Sequence, residues 1–190
     1  MSDLAQTVAE RFLETSRNFQ ALTAQASEIA RIGLLIAERM QQGGMAMFCG
    51  NGGSAADAQH IAAELQGRFL FDRRPLSSVA LTTNSSALTA ISNDYGYDQV
   101  FDRQVIGLGK PFDIVVGLST SGKSRNIIRA LEAAKGLGIY TLGLTGASGG
   151  DMVGLADDCI CVPSDHTARI QEMHIAVGHM LCEIIEEQLR

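Results

Sequence analysis

From Met45 onward the sequence alternates short apolar runs with longer segments of helical periodicity, and this alternation leaves few folds open. The apolar runs are Met45–Cys49, Leu76–Thr82, Asp113–Ser119, Tyr140–Thr145 and Asp158–Val162. Between and after them the spacing predicts helices over Ser54–Gly67, Ser85–Asn93, Gln99–Leu108, Lys123–Leu137 and His166–Leu189. Strands that read as near-continuous apolar runs and are joined by helices belong to a parallel sheet covered on both faces. The expected fold is therefore α/β: a five-stranded, mostly parallel sheet with helices on both faces, flavodoxin- or Rossmann-like. No linker or internal repeat interrupts it, and 190 residues, 46% of them hydrophobic, can bury one substantial core. We read residues 1–190 as a single domain, with residues 1–42 as an N-terminal helical extension.

In that extension Leu4, Val8, Phe12, Phe19, Leu22, Ile29, Ile32 and Ile36 recur at three-, four- and seven-residue steps. Gly33 or the Ala24–Ser27 segment could divide the stripe into two helices. The stripe either packs on its own domain or builds a subunit interface, since it is longer than one small sheet needs for cover. A net charge of -6 with no Lys/Arg block argues against nucleic acid or a membrane surface as partner. The start MSDLAQTVAERF lacks the apolar core of a signal peptide, and no run approaches a membrane span, so a cytoplasmic location is expected. The four cysteines, Cys49, Cys159, Cys161 and Cys182, contain no CxxC and read as reduced thiols, with Cys159 and Cys161 on one side of a strand.

In a sheet of this kind ligands bind at the carboxyl ends of the strands. The loops there read GNGGS, TTNSS, STSGKS, TGASGG and PSDHT. They offer backbone N–H groups and hydroxyls at helix starts, which suits a phosphate, although ordinary turns want the same residues. The stretch Cys49–Phe69 carries most information. Gly50, Gly52 and Gly53 let the backbone turn and approach a ligand, and Ser54 or Asp57 can begin a helix. On that helix His60 and Glu64 lie four residues apart and share a face, a pair fit for proton transfer or a metal. The last helix carries Gln171, Glu172, His174 and His179. Gln171 stands about 80° from His179 and about 60° from His174, so spacing does not choose between the histidines. The apolar flanks of His179, namely Val177, Met180, Leu181 and Cys182, point to a dry environment for it.

Two nucleotide motifs compete. Gly117–Ser124, GLSTSGKS, matches GxxxxGK[ST] between a predicted strand and helix, but no later strand ends in an Asp suited to magnesium; CICVPSD is interrupted by Pro163 and Ser164. Gly50-x-Gly52-x-x-Ala55 is like a dinucleotide fingerprint, yet the next strand ends in Thr82, Thr83 and Asn84 rather than an acidic residue.

The blocks CGNGGSAADAQHIAAEL, LTTNSSALTAISNDYGYDQVF, LSTSGKSRNI and ARIQEMHIAVGHMLCEII, in this order and across nearly the whole chain, resemble the sugar isomerase (SIS) family, in particular its branch acting on heptose phosphates. The resemblance implies a homotetramer with active sites at subunit interfaces. It implies conversion of sedoheptulose 7-phosphate to D-glycero-D-manno-heptose 7-phosphate, an early step towards the heptose of bacterial lipopolysaccharide core or related activated heptoses. Carried over by motif, the substrate contacts are Asn51, Gly52, Gly53, Glu64, Asn93, Asp94, Ser119, Thr120, Ser121, Ser124 and Gln171. The implied ligands of one Zn2+ per subunit are His60, Glu64, Gln171 and His179, and Glu64 and His179 are the implied acid/base pair. Lys123 departs from the family's expected STSGNS, creates the P-loop match, and is expected to face solvent. Non-catalytic SIS proteins, such as replication-initiator-binding relatives or sugar-phosphate sensors, form the alternative; they need no acid/base pair, and here both members are present. A P-loop nucleotide-binding protein is a further alternative.

Overall fold

The computed structural model describes residues 2–190, so Met1 of the expected domain lies outside the described residues. Five parallel strands, β1 (Ala46–Gly50), β2 (Ser78–Ala80), β3 (Ile114–Leu118), β4 (Tyr140–Thr145) and β5 (Asp158–Cys161), form one sheet in the order β2-β1-β3-β4-β5. The helices are α1 (Ser2–Leu22), α2 (Ala26–Gln41), α3 (Gly53–Gln66), α4 (Ser85–Tyr95), α5 (Asp102–Leu108), α6 (Arg125–Gly136) and α7 (Thr167–Gln188). The five expected strands all form and are all parallel. β2 is shorter than the Leu76–Thr82 run, because Leu76 donates its N–H to Leu65 of α3 instead of to a strand. α5 starts at Asp102 after a separate 3-10 turn at Tyr97–Gln99, and α6 starts at Arg125 rather than Lys123.

Alternate strand residues feed two cores. Phe48, Val116, Leu118, Leu142 and Leu144 pack under α2, α3 and α7. Met47, Cys49 and Val115 pack under α5 and α6, whose Ile127, Ala130, Leu131 and Ala134 make a stripe at helical spacing. Burying both faces is what a parallel sheet requires.

The long N-terminal stripe splits in function. A 3-10 turn at Thr23–Gln25, overlapping the expected break region at Ala24–Ser27, separates α1 from α2. Leu22, Ile29, Ile32 and Ile36 are buried in the chain's own core, whereas Leu4 is 73% and Phe12 71% exposed on α1. Gly33 does not break α2. A Cβ there would lie 2.9 Å from Ile184, so its bareness lets α2 and α7 pack closely. Gly178 does the same between α7 and α3, where a Cβ would meet Ile61 at 2.5 Å. Among the described residues no helix is long and apolar enough to cross a membrane.

The strand order reverses between β1 and β3, which are neighbours although β2 separates them in sequence. In such sheets the crevice beyond the carboxyl ends of those two strands is where loops diverge and a ligand fits.

Candidate active site

The loop after β1 turns at Gly52, whose φ of 57° and ψ of -120° lie in a region that a side chain would strain. α3 then begins at Gly53, with Gly52 in the capping position and no side-chain cap, so neither Ser54 nor Asp57 starts the helix. Ser54 and Ala55 donate their N–H groups to the Asn51 and Gly52 carbonyls at 3.1 and 3.0 Å, which closes the turn at the positive end of the helix dipole. Gly53 is bare for a reason: a Cβ there would lie 2.4 Å from Nε2 of Gln171 on α7.

The loop after β3 folds over itself through the N–H of Gly122, which donates to the Ser119 carbonyl at 3.0 Å. Ser119 and Ser124 hydroxyls meet at 2.9 Å, and the Lys123 N–H donates to Ser121 Oγ at 3.2 Å. Ser124 occupies the N-cap of α6 without capping it through its side chain, leaving its hydroxyl turned to Ser119. Gly117 of the P-loop-like motif is not in a phosphate loop. It is part of β3, with Ile127 and Leu131 against its Cα, and Lys123 is exposed as expected.

The two loops are tied together through Asn51 by Asn126 and Tyr97, neither of which was expected from the sequence. Asn51 and Asn126 exchange hydrogen bonds at 2.9 and 2.8 Å, and Tyr97 donates to Asn51 Oδ1 at 2.9 Å. Asn126 is 3% exposed, and a buried amide hydrogen-bonded through both its oxygen and its nitrogen holds one orientation. Asn93 and Asp94 stand exposed near the end of α4, hydrogen-bonded to each other at 2.9 Å.

The Gly178–Ile61 contact brings the residues beside them, His179 and His60, face to face. Their Nε2 atoms are 3.1 Å apart, and His60 Nε2 is 3.2 Å from Glu64 Oε1. The ligand atoms of His60, Glu64 and His179 all lie within 4.8 Å of one another. Two imidazole nitrogens and a carboxylate oxygen converging from two helices form a donor set suited to zinc. Gln171 keeps its amide against Gly53, about two helical turns along α3 from His60. Asp57, one turn before His60, has a buried Oδ2 without a hydrogen-bond partner; burial pushes its carboxyl up, against a weaker downward pull from His60.

The expectation of a dry His179 is corrected. His179 is half-buried, and its ring stacks on Phe69 at 5.5 Å and 21°. The dry histidine is His174, fully buried with neither ring nitrogen hydrogen-bonded; burial drives its pKa down to about 4, against a smaller pull from the Thr145 backbone. Apolar neighbours in sequence do not say which helix face a residue occupies, and His174 shares the buried stripe of Ile170, Val177, Leu181 and Gly178.

Phe69 is itself held by a buried carboxylate. Glu186 accepts the N–H groups of Phe69, Leu70 and Phe71 at 3.0, 2.6 and 3.0 Å. Arg73 Nε stands at ion-pair distance from it, 2.9 Å, though off the N–H direction, and its other nitrogens donate to the Leu65 and Glu64 carbonyls. The segment after α3, which carries the ring packed on His179, is thus fastened both to Glu64's backbone and to Glu186.

The SIS domain family profile matches residues 12–146. The chain is 49% identical to a phosphoheptose isomerase of Akkermansia muciniphila, over 98% of each chain, and 56% identical to that of Rhodospirillum rubrum, over 86% of this chain and 87% of the relative. Its fold superposes on the structure of a phosphoheptose isomerase from Neisseria gonorrhoeae with a TM-score of 0.90 and 43% identity, over 97% of this chain and 99% of that one.

Proposed function

This chain belongs to the SIS domain family, and we propose that it isomerises sedoheptulose 7-phosphate to D-glycero-D-manno-heptose 7-phosphate. The relatives named phosphoheptose isomerase, matched over nearly their full length, support the substrate and the reaction. The observation that carries the chemistry is the convergence of His60, Glu64 and His179 within 4.8 Å. His60 and Glu64 lie on α3, the helix that starts at the glycine loop, and His179 lies on α7.

Aldose–ketose isomerisation moves a proton between C1 and C2 through an enediolate, so it needs a base, an acid and stabilisation of the developing oxyanion. Glu64 takes the proton from C1 of the ketose, leaving an enediolate with its negative charge on O2. His179 moves the proton of the O1 hydroxyl to O2, and return of the carbon-bound proton to C2 leaves the aldehyde at C1. Phe69 keeps the His179 ring in plane for this transfer. Ser119, Thr120, Ser121 and Ser124 hold the phosphate with their hydroxyls and the start of α6, while Asn51, Gly52, Gly53, Asn93, Asp94 and Gln171 contact the sugar. The donor chemistry of His60, Glu64 and His179 fits Zn2+; family resemblance implies Gln171 as a fourth ligand, although here its amide rests against Gly53. When bound, the ion would supply a Lewis acid that polarises the carbonyl. The exposed apolar residues of α1, Leu4, Val8, Phe12 and Leu13, support assembly into a homotetramer through this helix. In a bacterium the product would feed the heptose of lipopolysaccharide core or a related activated heptose, in the cytoplasm.

Incubation with sedoheptulose 7-phosphate, with added zinc and with a chelator, followed by NMR, tests the proposal. An aldose signal that grows with time is expected. Binding of the sugar phosphate without turnover under either condition would overturn it.

A further inference from the structure

The motif that the isomerase chemistry leaves unused is Cys159-Ile-Cys161 on the edge strand β5. As alternate residues of one strand the two thiols point to the same face, and their Sγ atoms are 4.0 Å apart. Thr145 on the neighbouring strand β4 places its Oγ 3.3 Å from Cys161 Sγ and 3.8 Å from Cys159 Sγ. These three distances define a triangle whose centre is about 2.2 Å from each atom, close to the metal–sulfur and metal–oxygen bond lengths of about 2.3 and 2.0–2.2 Å typical of d10 ions. The surroundings leave the sulfurs room. Gly143 stands under Cys159, where a Cβ would come within 2.9 Å of its sulfur and 3.2 Å of the Met152 methyl, and Gly149 stands beside Cys161 with a Cβ at 3.2 Å.

We propose that Cys159 and Cys161, with Thr145 as a weak third donor, form a binding site for a soft, thiol-seeking d10 cation of the Cu+ class. Two sulfurs without a histidine favour a low-coordinate soft ion over the borderline zinc expected at His60, Glu64 and His179. A disulfide fits the geometry less well. Alternate residues of an extended strand have Cα atoms about 6.6 Å apart, near the upper limit a disulfide spans, and closing the 4.0 Å gap to bond length would buckle β5. The metal needs no such movement. Binding converts two thiols to thiolates and releases two protons for each ion.

The site borders the phosphate loop without belonging to it. Asp151, two residues beyond Gly149, donates its N–H to the Gly122 carbonyl at 3.0 Å, so one short turn separates the thiol pair from the Ser119–Ser124 loop.

Titration of the reduced protein with Ag+, a stable stand-in for Cu+, tests the site. The expected result is one tight equivalent, an ultraviolet thiolate-to-metal charge-transfer band, release of two protons, and two sulfur neighbours by X-ray absorption. Cys159→Ser and Cys161→Ser are each expected to weaken binding by more than about 100-fold, because loss even of an outer-shell partner typically costs 10–100-fold. Thr145→Val, which keeps both sulfurs, is expected to retain the sulfur count and bind more weakly. Circular dichroism of each variant separates a lost site from a lost fold. A wild-type protein that shows no charge-transfer band, or one sulfur neighbour only, overturns the proposal, as does full-strength binding by folded Cys159→Ser/Cys161→Ser protein.

Discussion

Replacing Glu186 by alanine tests how the segment that carries Phe69 is held. The side chain of Glu186 is 0% and that of Arg73 3% exposed, and the carboxylate accepts three consecutive backbone N–H groups. Truncation leaves those donors and the guanidinium without their acceptor inside the protein. Breaking a buried charged pair by removing one partner costs about 3–5 kcal/mol. For a chain of this size each kcal/mol lowers Tm by about 2–4 °C, so a fall of about 6–20 °C is expected at fixed protein concentration. Thermal unfolding followed by circular dichroism measures it. The pH dependence adds a second reading. Burial pushes the Glu186 carboxyl up, but the N–H groups of Phe69, Leu70 and Phe71 together with Arg73 outweigh it and hold the pKa below the ordinary carboxylate range. A group with a depressed folded pKa stabilises the protein above its unfolded pKa and loses that contribution as pH falls through the folded value. Stability of the wild type should therefore drop more steeply than that of Glu186→Gln on acidification below about pH 4.3. A Tm change under about 2 °C in the alanine variant would show that the segment is held by other contacts and refute the reasoning.

Glu64→Gln is expected to keep the fold and lower kcat by at least about 100-fold when aldose formation is followed by NMR; retained activity would remove Glu64 from the base role. His174 gives a pH effect at milder acidity: its folded pKa, about 4, lies below the ordinary histidine value, so the unfolded chain takes up the proton first and stability falls as pH drops below about 6.5. His174→Leu should flatten urea-unfolding free energies between about pH 6.5 and 5, where the wild type loses up to about 1.4 kcal/mol per pH unit. Gly53→Ala puts a methyl 2.4 Å from Gln171 Nε2 and should displace that amide, raising KM for the sugar phosphate in steady-state kinetics with little change in Tm; an unchanged KM would separate Gln171 from substrate binding.

Much of this protein is fixed by local sequence, because local physics fixes periodicity. The five strands and the α/β class follow from apolar runs whose two faces must both be covered, and the loops that end them carry glycine and hydroxyls because a helix start offers N–H groups there. His60 and Glu64 share a face by helix geometry alone. What the sequence could not decide are relations between elements. Whether His174 or His179 met His60 depended on which stripe of α7 turned inward, and that was set by Gly178, the one position where α3 could come close enough for Ile61 to lie against bare backbone. The roles of Asn126, Tyr97 and Phe69 exist only once separate loops meet. Glu186 reads in sequence as one more charge near a helix end, and only the chain folding back over it turns it into an anchor. Local periodicity is short-ranged and visible along the chain; the choice of contacting faces depends on packing between segments more than a hundred residues apart, such as Phe69 and Glu186, and tertiary structure alone decides it.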